Sequence, residues 1–299
     1  MIENFVNTKN EKDADVVILS APYEESVSIM GGTSGAPEKI VNCLNNYIDL
    51  FDSNLLCEPF RKIKTAHKEL VNIKKLAPEK AWQEISKEYQ KLFNADKFVL
   101  LLGGEHSVTL GAMDAIAKKI NPKDVTILQI DAHHDLRNDD SDQVYEGEKT
   151  TKYAHSCVMR RVHELGFSLV QVGVRSFGID EYKYAQKNKK TITFFEWGYN
   201  KKVPKISEII NKIKTKYVYI SIDADGFDPA YMPGTGVPVQ GGLEWWYGVN
   251  LIRETILKKK LIGADVVEVV PQKETIVSEY GAAKLCYVIL TNKFIERFI

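Results

Sequence analysis

Residues 125–135 read Val-Thr-Ile-Leu-Gln-Ile-Asp-Ala-His-His-Asp, a short apolar run that breaks into carboxylates and imidazoles. Six residues with β-branched members, apolar on both faces, describe a strand covered by helices on each side. Comparable runs lie at 15–20 (Asp-Val-Val-Ile-Leu-Ser), 98–102 (Phe-Val-Leu-Leu-Leu), 168–174, 191–195, 217–222 (Tyr-Val-Tyr-Ile-Ser-Ile) and 262–269. Helical patterns separate them at about 34–45, 78–94, 108–119, 205–214, 243–258 and 278–296. Strands alternating with helices predict an α/β fold whose parallel strands are joined by crossover helices. No Gly/Ser-rich linker, internal repeat or low-complexity block interrupts the pattern, so residues 1–299 are expected to form a single domain.

Bulk composition removes several classes of function. The 299 residues are 44% apolar and 27% charged, with 40 Lys plus Arg against 40 Asp plus Glu. Such a chain has no net field toward nucleic acid or an anionic membrane, and neither is expected as a partner. Cys43, Cys57, Cys157 and Cys286 are far apart with no C-x-x-C pair, and read as reduced thiols packed like small apolar residues. The first residues hold no apolar core of signal-peptide length, and no window reaches the ~18 apolar residues of a membrane span. The expected location is the cytoplasm.

Three segments begin where apolar runs stop: Gly103-Gly104-Glu105-His106-Ser107, Asp131-Ala132-His133-His134-Asp135 and Asp223-Ala224-Asp225. In open parallel sheets, ligands bind outside the carboxyl ends of strands. Alternation along extended chain would place residues 131, 133 and 135 on one side, and 223 with 225. It turns His134 away. Alone, a strand-end Asp is a cap or turn residue and a lone His a satisfied polar group. Together, four aspartates beside apolar strands would repel one another unless cations neutralise them. Two divalent ions would do so, held by His106, Asp131, His133, Asp135, Asp223 and Asp225. Oxygen-rich ligands with two imidazoles and no thiolate suit Mn²⁺ first, then Fe²⁺, Co²⁺ or Ni²⁺.

These three segments, with the continuation Ser221-Ile-Asp-Ala-Asp-Gly-Phe-Asp-Pro-Ala-Tyr-Met-Pro-Gly-Thr-Gly-Val-Pro, resemble the signatures of the ureohydrolase family of arginases, agmatinases and formimidoylglutamases. The resemblance covers residues about 98–270. It implies a three-layer αβα fold around a mostly parallel eight-stranded sheet, assembled into a homo-trimer or homo-hexamer. It also implies two Mn²⁺ per chain that hydrolyse a guanidino or related amidino group. One ion would take His106, Asp131, Asp135 and Asp223; the other Asp131, His133, Asp223 and Asp225, with Asp131 and Asp223 bridging. Asp135 would also orient the bridging hydroxide. His155 matches the family's proton-shuttle histidine and Glu268 its guanidinium-binding glutamate. Without the resemblance, His155 reads as a surface-loop histidine and Glu268 as a solvated strand-end charge.

Within the family the resemblance is nearest to agmatinase, which implies agmatine as substrate, putrescine and urea as products, and a place in polyamine biosynthesis. It rests on Asp131-Ala-His-His-Asp-Leu-Arg, Tyr145-Glu-Gly-Glu, His155-Ser-Cys-Val-Met-Arg-Arg and Val172-Gly-Val-Arg-Ser. Leu136-Arg137 and an acidic loop stand where arginases carry an Asn and a Thr/Ser-rich loop for the amino acid's α-groups. Such a loop suits a substrate ending in an amine, although Arg137 or Arg160 could meet a carboxylate. Arginine, guanidinobutyrate, an aminopropyl-agmatine and formimidoylglutamate stay open as alternatives, as does a non-catalytic member. The segment Val27-Ser-Ile-Met-Gly-Gly-Thr-Ser-Gly-Ala-Pro departs from the agmatinase Arg-Pro-Gly pattern, which bears on specificity.

Overall fold

Successive residues of each central strand point into two different cores, and this alternation builds the molecule. In the computed structural model, which describes residues 4–26, 28–144 and 149–298, the strands are β1 (Val16–Ala21), β2 (Thr65–Glu69), β3 (Phe98–Gly103), β4 (Val125–Ile130), β5 (Ser168–Val174), β6 (Ile192–Glu196), β7 (Tyr217–Asp223) and β8 (Lys260–Val267). The helices between and after them are α1 (Ala36–Asn46), α2 (Pro78–Asn94), α3 (Thr109–Ala117), α4 (Val158–Glu164), α5 (Ile179–Lys187), α6 (Ile206–Ile210), α7 (Trp245–Lys258) and α8 (Val277–Lys293). Val16 and Ile18 of β1 and Leu100 of β3 pack against α1, α7 and α8 through Ile40, Leu251 and Leu285. Their neighbours Val17, Leu19 and Leu101 pack against α2, α3 and α4 through Ile85, Met113 and Met159. A sheet apolar on both faces needs a helical layer on each, which gives the three-layer αβα architecture.

The eight strands form one sheet in the order β2-β1-β3-β8-β7-β4-β5-β6. Every pair is parallel, so the expectation of a mostly parallel sheet becomes a wholly parallel one. The seven strands anticipated from apolar runs are all present within a residue or two. The eighth, β2, reads Thr-Ala-His-Lys-Glu and carries no such run. It pairs only with β1 at the sheet's edge, where polar side chains are tolerated and blunt further pairing. Two helices were also unanticipated. Helix α5 buries only Glu181 and Ala185, and α4 is two turns long, so neither carries a helical stripe long enough to read. Conversely, the pattern at 205–214 yields only the five residues of α6, and the last helix stops at Lys293 rather than 296.

This order places the carboxyl ends of β3, β8, β7 and β4 side by side, and close backbone approach keeps them there. A Cβ at Gly226 would stand 2.7 Å from both Asp131 N and Ile130 C. Only glycine lets the chain leaving β7 pass that near the chain leaving β4. Gly226→Ala is therefore expected to destabilise the fold by roughly 1–3 kcal/mol, read as a lower urea midpoint at unchanged slope. An unchanged midpoint would contradict this tight contact.

Candidate metal centre and substrate pocket

Asp131 follows the last residue of β4, Asp223 ends β7, and Asp225 sits in the 3-10 turn Ala224–Gly226. These residues, with His106 at the start of the 3-10 turn after β3, converge on one buried space. His106 Nδ1 lies 2.9 Å from Asp135 Oδ2, 3.2 Å from Asp131 Oδ2 and 3.4 Å from Asp223 Oδ2. His133 Nδ1 lies 3.0 Å from Asp225 Oδ2 and 3.6 Å from Asp131 Oδ1. Two sets of side chains among the described residues could each hold a cation: His106, Asp131 and Asp135, and Asp131, His133 and Asp225. Asp131 belongs to both. Asp223 belongs to neither set and reaches the cluster through its contact with His106.

Simple strand alternation does not produce this convergence. Residues 131–135 lie beyond β4 in irregular chain, and Asp135 has a left-handed backbone, φ +54°. Local bonds set the geometry instead: His133 N donates to Asp131 Oδ1 at 2.6 Å, Ala132 N to Asp225 Oδ1 at 2.9 Å, and Asp225 N to Asp223 Oδ1 at 2.9 Å. His134 does turn away. Its Nδ1 pairs with Gln171 Oε1 at 2.8 Å and its ring meets Phe194 edge-on.

The donor chemistry fits divalent cations. His106 Nε2 lies 2.9 Å from Ser221 Oγ, and Ser221 donates its hydroxyl proton to Asp265 Oδ1 at 2.7 Å. Asp265 also accepts from Thr109 Oγ1 and Tyr219 OH, each at 2.9 Å. Ser221 must therefore accept from His106 Nε2–H, which leaves the Nδ1 lone pair facing the carboxylates. That nitrogen is buried without a hydrogen-bond partner among the described residues. Neither Ser221 nor Asp265 stood out in the sequence as a site residue, because an isolated polar residue inside a strand carries no spacing signal.

Charge tells the same story. Burial pushes Asp135 up to about 7, helped by the charge of Asp131. Burial raises Asp223 well above the carboxylate range, reinforced by Asp225 and Asp131. Burial opposes charge on His106 and His133, yet the surrounding carboxylates outweigh it and raise both well above the usual histidine value. Asp131 goes the other way: the two imidazoles overcome burial and hold its carboxyl low. The cluster gathers protons because it demands positive charge.

A cavity of about 360 Å³ opens over these residues, lined also by Ser26, Ser28, Glu105, Arg137, His155, Glu181 and Glu268. Glu268 follows β8 with a left-handed backbone, φ +59°, and accepts from His106 N at 2.7 Å. Burial, then repulsion by Glu105, raises its pKa. Left-handed non-glycine residues cost roughly 1–3 kcal/mol each and concentrate at functional sites; Asp135 and Glu268 are both such residues. His155 is half-buried at the cavity wall, its pKa lowered by burial against the opposing charge of Glu105. Six of the eight residues singled out in the sequence, His133, Asp135, His155, Asp223, Asp225 and Glu268, line the cavity, and His106 and Asp131 join them through the contacts of His106 with Asp135 and of His133 with Asp131. Of the acidic loop, Tyr145-Glu-Gly-Glu lies outside the described residues.

The arginines near the cavity are occupied. Arg137 pairs with Asp142 and lies 3.9 Å from Glu181 Oε2. Arg160 pairs with Glu164 at 3.3 Å and lies over the Tyr184 ring. Arg175 spends its donors on backbone carbonyls, among them Asp225 O and Val239 O at 2.6 Å, and so anchors the chain beyond β7.

Residues 14–291 match the family model described as the arginase family. An N(1)-aminopropylagmatine ureohydrolase of Synechocystis sp. is 33% identical over 280 residues, covering 92% of this chain and 88% of that protein. The agmatinase of Pyrococcus horikoshii is 30% identical over 287 residues, covering 95% and 93%. The crystal structure of the agmatine ureohydrolase of Thermoplasma volcanium superimposes with a TM-score of 0.80 at 25% identity, covering 100% and 97%.

Raised pKa values predict how pH acts on metal uptake. Asp135 and Asp223 stabilise the metal-free fold below the unfolded Asp value of about 3.9. That contribution is lost as pH rises, through about 7 for Asp135. The raised imidazoles act alike, present below about 6.5 and lost above their folded values. Asp131, held low, contributes a constant amount across this window. Cations must displace these protons, so excess Mn²⁺ should raise the melting temperature more at about pH 8 than at about pH 6. Equal increments at both would contradict the proton count.

Proposed function

The chain belongs to the arginase family and is a hydrolase of that family, and from that premise we propose that it cleaves agmatine to putrescine and urea. The observation that carries the choice of substrate is the charge around the cavity. Outside the proposed metal ligands its lining carboxylates are Glu105, Glu181 and Glu268, while its one arginine, Arg137, is already paired with Asp142. Among the described residues no lining cation is left over for a carboxylate tail. Arginine and guanidinobutyrate each carry one, and formimidoylglutamate carries two. A substrate with a guanidinium at one end and an amine at the other needs no such cation and finds Glu105, Glu181 and Glu268 on the wall.

His106, Asp131, His133, Asp135, Asp223 and Asp225 are the residues that would hold two Mn²⁺, a reading supported by the oxygen-rich donor set and the unpartnered His106 Nδ1. Metal ions held by these residues would acidify a water and so make hydroxide available near neutral pH. Glu268 orients the guanidinium by charge-assisted hydrogen bonds, one of its oxygens being fixed by His106 N. Asp135 accepts a hydrogen bond from the attacking water and keeps it aimed at the guanidinium carbon. His155 moves a proton between solvent and the leaving amine, which must depart protonated. Exposed Trp246 and Phe51, which line one surface cleft, support a homo-oligomer, proposed as a trimer or hexamer.

A second reading has its own support. Ile29, Met30 and Phe177 are exposed apolar side chains on the cavity wall, and would cover a longer methylene chain. Together with the printed name of the Synechocystis relative, this favours N(1)-aminopropylagmatine. Urea release from Mn²⁺-loaded protein should be measured on agmatine, aminopropylagmatine, arginine and guanidinobutyrate, with formamide release on formimidoylglutamate. The amine-tailed substrates should exceed the carboxylate-bearing ones by about 100-fold in kcat/KM, or more. Turnover of arginine matching that of agmatine would overturn the charge reasoning. Asp225→Ala should abolish turnover, and Glu268→Gln should lower kcat/KM about 100-fold or more; urea yield from either variant at the wild-type rate would refute its role.

A further inference from the structure

Glu105 and Ser26 stand behind His155 in an arrangement that determines which imidazole nitrogen carries the hydrogen. Glu105 is buried, and four donors converge on its carboxylate: the backbone N–H groups of Glu25 and Ser26 on Oε2, both at 2.7 Å, and the hydroxyls of Ser26, at 2.9 Å, and Ser107 on Oε1. Such a group acts as acceptor only. The single hydroxyl hydrogen of Ser26 is thereby committed to Glu105. The same oxygen lies 3.0 Å from His155 Nδ1 and accepts from His155 N, also at 3.0 Å. With its own hydrogen spent, Ser26 Oγ can only accept from the ring. On the far side, Ser28 Oγ lies 3.0 Å from His155 Nε2 and accepts from Gln143 Nε2 at 3.3 Å, leaving its hydrogen free for the ring.

We propose that Glu105 and Ser26 are positioning residues that lock His155 as the Nδ1–H tautomer, so that the basic lone pair sits on Nε2, facing Ser28 and the pocket. A proton-transfer histidine whose tautomer is fixed by a carboxylate needs no reorganisation before it reacts, and losing that control lowers the rate by orders of magnitude. Ser26 relays the restraint because Glu105 is engaged with Ser26 rather than with the ring itself. The inference rests on the shuttle role proposed above for His155.

Ser26→Ala should lower kcat about 10- to 100-fold with KM within about twofold. Ser26→Thr, which keeps a hydroxyl, should restore most of that loss. In a His155→Ala background, Ser26→Ala should cost nothing further, since its effect runs through the ring. Spectra of protein carrying [15N]histidine and loaded with Mg²⁺ should show His155 with its hydrogen on Nδ1, and a loss of that preference in Ser26→Ala. A hydrogen found on Nε2 in the wild-type protein overturns the proposal, as does an equal effect of Ser26→Ala with and without His155. If His155→Ala keeps full kcat, the shuttle role fails, and the spectra still report on the relay by themselves.

Discussion

Asp131, Asp135, Asp223 and Asp225 are buried together at the ends of neighbouring parallel strands, and mutual repulsion in that setting must be neutralised. The rest of the site follows from this constraint. Protons answer it in part: burial raises Asp135 and Asp223, and the carboxylates in turn raise His106 and His133. The network behind His106 answers it differently, because Asp265 and Ser221 occupy Nε2 and leave Nδ1 for the cluster. Proposed cations would complete what these groups begin.

The sheet makes such crowding affordable. Strands β3, β8, β7 and β4 are adjacent at its centre, so four chain segments deliver polar ends to one place without any of them crossing a core. Aliphatic packing takes most of both faces of those strands, so polar side chains gather at the strand ends and in the Ser221–Asp265 network just behind them. Gly226 permits the close approach of neighbouring segments, and the left-handed backbones of Asp135 and Glu268 turn their side chains inward. Of the five left-handed non-glycine residues among those described, these two belong to the site.

Around the cluster, carboxylates recur while cations are withdrawn. Arg137, Arg160 and Arg175 are committed to Asp142, Glu164 and backbone carbonyls, respectively. The carboxylates Glu105, Glu181 and Glu268 remain on the cavity wall, an arrangement unfavourable to a carboxylate-bearing ligand. Glu105 lines the cavity and also holds its wall together. It ties the 24–26 segment to the end of β3 and, through Ser26, orders His155.

Much of this was legible in the chain itself. Seven apolar runs became strands and the strand-end positions of His106, Asp131 and Asp223 were readable, because burial on two faces writes itself into consecutive residues. Strand β2 was silent because an edge strand needs no apolar run, α4 because seven residues are too short to show a helical period, and α5 because it buries only Glu181 and Ala185. Local sequence also could not place Asp135, since a left-handed turn rather than alternation directs it. Ser26, Glu105, Ser221 and Asp265 acquired meaning only in three dimensions. Hydrogen bonds join residues dozens to more than a hundred positions apart, and neither periodicity nor spacing records which distant partner takes a proton.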